Sequence, residues 1–184
     1  MKERAYKFSS GFTLVELLVV VAIMAITLAF GVPGFRAIIT SSRLTNAANS
    51  MVTALQRARS EAIKTNRLVT VSNVNNNGAW GDGWIVFVDK NQDNLQSVDG
   101  DPEFDEPTIS FFDGINTSFM VNPTNGFTNR VIYRPDGRSN TNGTFNFCAS
   151  ADTADFRRVV VASSGRIHVE TPTTSQFTYQ TACP

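Results

Sequence analysis

The sequence holds a single histidine, His168, and only two cysteines, Cys148 and Cys183. That is too few imidazoles and thiols for a four-ligand zinc motif, and no glycine-rich loop of the phosphate-cradling kind is present. One histidine and scattered serines and aspartates do not resolve into a catalytic triad. The expectation is a chain with no catalytic residues, no metal and no cofactor. Formal charge is zero, and charged side chains make up only 17% of the chain. Absence of a global basic excess removes the simplest argument for nucleic-acid binding. No internal repeat or low-complexity tract stands out.

What the sequence does have is one long apolar run near its start. Gly11 is followed by Phe12–Thr13–Leu14–Val15–Glu16–Leu17–Leu18–Val19–Val20, and the run continues to Pro33. As a helix these roughly 22 residues span about 33 Å, enough to cross a bilayer core of about 30 Å. A carboxylate inside such a segment is costly to insert, so Glu16 asks for a partner.

Ahead of the run lies a short basic leader carrying Lys2, Arg4 and Lys7 against Glu3. Leader, Gly11 and the following G-F-T-L-V-E-L-L together resemble the type III signal of type IV pilins and type II secretion pseudopilins. The resemblance implies cleavage after Gly11 by a prepilin peptidase, N-methylation of Phe12, and Glu16 at the fifth mature position. The new α-amino group is largely cationic, and Glu16 of a neighbouring subunit can neutralise it in an apolar filament core. An ordinary secretory signal is the alternative, with residues 17–26 as its apolar region and a cut near Ala29. Glu16 has no place in that reading.

Pro33–Gly34 interrupts the run, and proline inside a helix removes a backbone bond and bends it. Beyond it Phe35, Ile38, Ile39, Ala47, Ala48, Met51, Leu55, Ala58 and Ala62 recur at three- and four-residue spacings, with arginines mostly between them. That pattern predicts an amphipathic helix whose stripe packs on a sheet, continuous from Phe12 to about Thr65. After Asn66 the period becomes strand-like. Strands are expected over 68–73 and 84–88, then near 108–112, 117–121, 130–134, 144–148, 157–162 and 165–169. Asn75–Asn76–Asn77–Gly78 reads as a turn and 89–105 as a long acidic hairpin loop. Short links between the strands favour antiparallel pairing.

Three further blocks are similar to the FimT/GspH family. They are Leu55–Gln56–Arg57–Ala58–Arg59–Ser60–Glu61–Ala62 before Val69–Thr70–Val71, then Gly81–Asp82–Gly83–Trp84, and a C-terminal half with Arg134–Pro135–Asp136–Gly137–Arg138 and Gly165–Arg166. The resemblance implies a minor pilin or pseudopilin. Downstream of an export signal Cys148 and Cys183 are expected to pair, closing the C-terminal segment; a metal pair is the second reading.

Two constellations remain. Asp89–Lys90–Asn91–Gln92–Asp93 has the D-x-N-x-D spacing of a calcium loop, but an EF-hand needs Gly at its sixth position and Glu at its twelfth, where Asn94 and Gly100 stand. It is read as a solvated hairpin. FimT-type minor pilins are thought to bind DNA through a G-R-x-R motif, for which this chain has Gly165–Arg166–Ile167–His168. The second arginine is replaced, and with Arg157 and Arg158 these residues form a candidate DNA-binding set.

The resulting expectation is an α+β pilin fold, with residues 1–11 a cleaved leader, 12–33 a transmembrane and filament-core segment, 34–66 the amphipathic half of the helix, and 67–184 a globular antiparallel β domain. The chain is expected in the inner membrane with a periplasmic domain, and outside the cell once in a pilus. Its function is read as initiating or capping a type IV pilus, with DNA capture for transformation and type II secretion as alternatives. Implied partners are other minor and major pilins, the prepilin peptidase and N-methyltransferase, the membrane, and DNA under the second reading.

Overall fold

A computed structural model describes residues 12–97, 105–115, 119–124, 126–149, 155–171 and 183, without the side chains of 31–34, 36 and 37. The leader, Gly11, and the side chain of Pro33 with its expected bend lie outside what is described. The chain divides into two units, Met1–Ile39 and Thr40–Pro184.

One helix, α1 (Leu14–Thr65), runs through both units. Thr13 and Glu16 start it as a reciprocal cap: the Thr13 backbone N–H donates to Glu16 Oε2 at 2.8 Å, and the Glu16 N–H donates to Thr13 Oγ1 at 3.2 Å. Its end is set by Asn66, whose φ of 53° is left-handed and tolerated best by asparagine among residues with a side chain.

In the first unit every described side chain from 12 to 30 is exposed around the full circumference of the helix. Among the described residues no helix is long and apolar enough to cross a membrane. The run read as a span extends to Pro33, past the last described side chain at Phe30.

The second unit holds the remaining helix turns and eight strands: β1 (Leu68–Asn73), β2 (Gly83–Asp89), β3 (Thr108–Asp113), β4 (Phe119–Thr124), β5 (Arg130–Tyr133), β6 (Gly143–Ala149), β7 (Phe156–Val161) and β8 (Ile167–Glu170). They form two antiparallel four-stranded sheets, in order β3-β2-β1-β5 and β4-β6-β7-β8. The fold is α+β. Leu44, Ala48, Met51, Ala54, Leu55, Ala58 and Ala62 make the buried stripe of α1, in one core with side chains from both sheets. Four of its seven members are alanines, and their small side chains let a helix lie close against the strands.

Phe35, Ile38 and Ile39, expected in that stripe, are instead exposed, because they belong to the first unit. Leu44 and Ala54 take their place. The strand expected over 117–121 is displaced to Phe119–Thr124 and contains Pro123. Proline is tolerated there because β4 pairs with β6 alone and has an unpaired edge. Trp80 closes one end of the core: its indole N–H donates to the carbonyls of Phe127 and Thr128 at 3.0 and 2.8 Å, and its ring meets Phe145 edge-to-face.

Candidate functional site

The first candidate surface is the apolar helix of residues 12–30. A helix apolar on every side has no solvent face, so lipid or other helices must cover it. Glu16 sits in its first turn, with Oε2 accepting from both the backbone N–H and the hydroxyl of Thr13. The T-x-x-E pattern that signals such a cap stands in the sequence as Thr13–Leu14–Val15–Glu16, beside the intersubunit role that the resemblance implies for the same carboxylate. The two roles are compatible, because a carboxylate has acceptor capacity on two oxygens.

The second surface is built by two tight turns. Gly165, φ 79°, turns β7 into β8, with its N–H donating to the Ala162 carbonyl at 2.8 Å. Gly137, φ 76°, turns back after β5, with its N–H donating to the Arg134 carbonyl at 2.8 Å. A side chain at Gly165 would lie 2.0 Å from the Gly137 carbonyl oxygen. Two glycines thus let the R-P-D-G-R turn and the S-S-G-R turn touch through their backbones. Arg59 of α1 lies against both, with its Nε buried and without a hydrogen bond. Beside it a cleft of about 440 Å³ is lined by Gln56, Arg59, Ser60, Ile63, Arg166 and Ile167. Arg166 is exposed at its rim, and Arg134 and Arg138 are exposed on the adjoining turn.

The other arginines read as DNA ligands do not join this group. Arg157, with its side chain 13% exposed, is engaged inside the unit: Nε donates to Thr45 Oγ1 at 3.2 Å, a terminal nitrogen to Ser41 Oγ at 2.9 Å, and another pairs with Asp155. It ties β7 to α1. Arg158 is buried, donates from Nε to Asn146 Oδ1 at 2.9 Å, and lies 3.9 Å from Glu170. Burial pulls its guanidinium below the usual arginine range, and Glu170 offsets part of that. His168 Nε2 is 3.3 Å from the same carboxylate. Arg158, His168 and Glu170 therefore form one polar group across β7 and β8, part-exposed at His168 and Glu170, in which a carboxylate engages both basic side chains.

Cys148 and Cys183 form a disulfide with Cα atoms 5.9 Å apart, packed with Phe156. The third group is acidic. Asp89, Asp93 and Glu106 bring carboxylate oxygens within 4.8 Å of one another at the base of the β2–β3 loop. Burial holds the Asp89 carboxyl above its ordinary range; backbone N–H groups of Gln92 and Asn94 oppose that, and the Glu106 and Asp93 charges add to it.

The sequence from 47 to 165 matches the family model described as type II transport protein GspH. The chain belongs to the GspH family. Residues 6–32 of this GspH-family protein also match the prokaryotic N-terminal methylation motif. Its fold is shared with the type IV minor pilin FimU of Pseudomonas aeruginosa, at 20% identity and a TM-score of 0.55, covering 72% of this chain and 95% of FimU. It is likewise similar to the minor pseudopilin EpsH of the Vibrio cholerae type 2 secretion system, at 13% identity and a TM-score of 0.51, covering 71% of this chain and 98% of EpsH. No curated protein matches the sequence. The GspH-family chain is thus a minor pilin or pseudopilin, of a class that carries a membrane anchor and a periplasmic domain and assembles with other pilins.

Proposed function

We propose that this GspH-family chain is a structural minor pilin of a type IV pilus, without catalytic activity, that helps to initiate or cap the filament. Prepilin peptidase removes residues 1–11, and Phe12 becomes the methylated first residue. Residues 12–33 hold the subunit in the inner membrane, then pass from lipid into the filament core as the β domain emerges outside the cell. The observation that carries this reading is the exposed apolar sheath at 12–30, interrupted by the single carboxylate of Glu16. Glu16 pairs with the Phe12 amine of a neighbour and selects one axial register. The C-terminal disulfide and the partial G-R-x-H favour a pilus over a secretion pseudopilus.

Glu16→Ala is expected to be cleaved and methylated normally yet absent from sheared pili; incorporation at the unaltered level would refute the role given to the carboxylate. Deleting the gene is expected to deplete surface pili and leave export of folded enzymes intact. Loss of export with pili unchanged would assign the chain to a type II secretion system.

A second reading, DNA capture, is favoured by the cationic rim at Arg59, Arg134, Arg138 and Arg166. Phosphates need cationic side chains and exposed N–H groups without sequence readout. Band shifts across salt concentrations test it: salt-sensitive binding weakened by Arg166→Ala supports DNA capture, and binding indifferent to that substitution dismisses this site.

A further inference from the structure

The acidic group at the base of the β2–β3 loop has a geometry that the D-x-N-x-D spacing alone did not reveal. Asp89, at the end of β2, is 2% exposed, and Glu106, before β3, is 1% exposed. Asp89 Oδ2 accepts from the Asn94 N–H at 3.1 Å. Its other oxygen, Oδ1, is buried within the cluster and makes no hydrogen bond. Leaving a buried carboxylate oxygen unsatisfied beside two further carboxylates is costly unless a cation takes the open lone pairs.

The two objections raised by the sequence are both answered by the fold. The sixth position of the loop needs a left-handed residue, and Asn94 has φ 62°. The missing glutamate at position twelve is replaced by Glu106, brought in from the far end of the loop. Glu106 Oε1 accepts from the Lys90 N–H at 2.8 Å and Oε2 from the Ser97 N–H at 3.1 Å, so the carboxylate is held in place by both arms of the hairpin. Oε1 also accepts from the Asn91 N–H at 3.5 Å, and Oε2 keeps a second lone pair for a cation.

We propose that Asp89, Asp93 and Glu106 form a calcium site that fastens the β2–β3 loop to the end of its sheet. Oxygens at about 2.4 Å from a shared ion lie no more than about 4.8 Å apart, and the three carboxylates here fall within that limit. An all-carboxylate donor set selects a hard cation over zinc or copper. Magnesium, which demands a strict octahedron and sheds its water reluctantly, is held less readily by three protein carboxylates. The site depends on neither reading of the filament.

The full-length chain in detergent, stripped with chelator, is titrated with calcium chloride by calorimetry and melted with and without it. One ion per chain is expected, with Kd on the order of 10⁻⁴ M or tighter, at least about tenfold weaker binding of magnesium, and a rise in Tm of about 5 °C at saturation. Asp89→Asn and the exposed Asp93→Asn should each weaken calcium at least about tenfold, while Asp113→Asn, outside the cluster, changes nothing. Absence of saturable heat and of any Tm shift in the unaltered chain would overturn the proposal. So would calcium binding of unaltered strength in a folded Asp93→Asn chain, since that side chain has no core packing to lose.

Discussion

At the scale of single residues, Gly165 shows why a motif glycine can be structural whatever its neighbour does. The left-handed φ and the 2.0 Å approach to the Gly137 oxygen leave no room for a methyl group. Gly165→Ala should therefore destabilise the folded domain by at least about 2 kcal/mol, read as a lower urea midpoint with an unchanged slope. Tyr133 poses the opposite case. Its ring is fully buried and its hydroxyl makes no hydrogen bond. Burial raises its pKa far above the ordinary phenol value, and the charge of Arg59 opposes this only in part. The folded state thus keeps a proton that the unfolded chain releases near pH 10. Stability is undiminished below that pH and falls above it by up to about 1.4 kcal/mol per pH unit. Tyr133→Phe should cost less than about 1 kcal/mol at pH 7, since no hydrogen bond is lost, and should remove this share of the alkaline fall. Equal alkaline slopes in urea titrations of the two chains at pH 9 to 11 would contradict it.

At the scale of elements, the C-terminal segment and the start of the second unit's helix are each held by one device. The disulfide closes a loop with a sequence separation of 35. Chain-entropy arguments put its effect near 4 kcal/mol as an upper figure, so Cys148→Ser with Cys183→Ser should lower the stability of the oxidised protein by about 2–4 kcal/mol. A chain whose unfolding is unchanged by reductant would show that the bridge constrains nothing. Arg157 does the corresponding work for α1, reaching Ser41 and Thr45 from β7. Truncating it to alanine should cost about 1–3 kcal/mol and increase amide exchange in the helix turns around Thr45. The helix stripe was legible in sequence wherever it packs: Ala48, Met51, Leu55, Ala58 and Ala62 follow the three-four spacing and are all buried. Phe35, Ile38 and Ile39 continue the same spacing and are exposed. Periodicity reports which face is apolar, and says nothing of where along the helix a sheet begins to cover it.

At the scale of the molecule, the first unit is an apolar rod and the second a domain with its own two-sheet core. Such a division makes association a property of the first unit. Without detergent the full-length chain should form large assemblies in analytical ultracentrifugation, dispersed by micelles; a monomer in plain buffer would contradict the reading of 12–30 as a covered surface. The sequence by itself determined the apolar run with Glu16, the switch from helical to strand period after Asn66, and the antiparallel class, because these depend on local order and on the near neighbours of each residue. Two matters were decided only by tertiary structure. One is which arginines are spent inside: Arg157 and Arg158 look as cationic as Arg166 in the sequence, and only the packing of β7 against α1 and β6 tells them apart. The other is that Glu106 joins Asp89 and Asp93, since a carboxylate contributed from across a hairpin has no fixed spacing for the sequence to display.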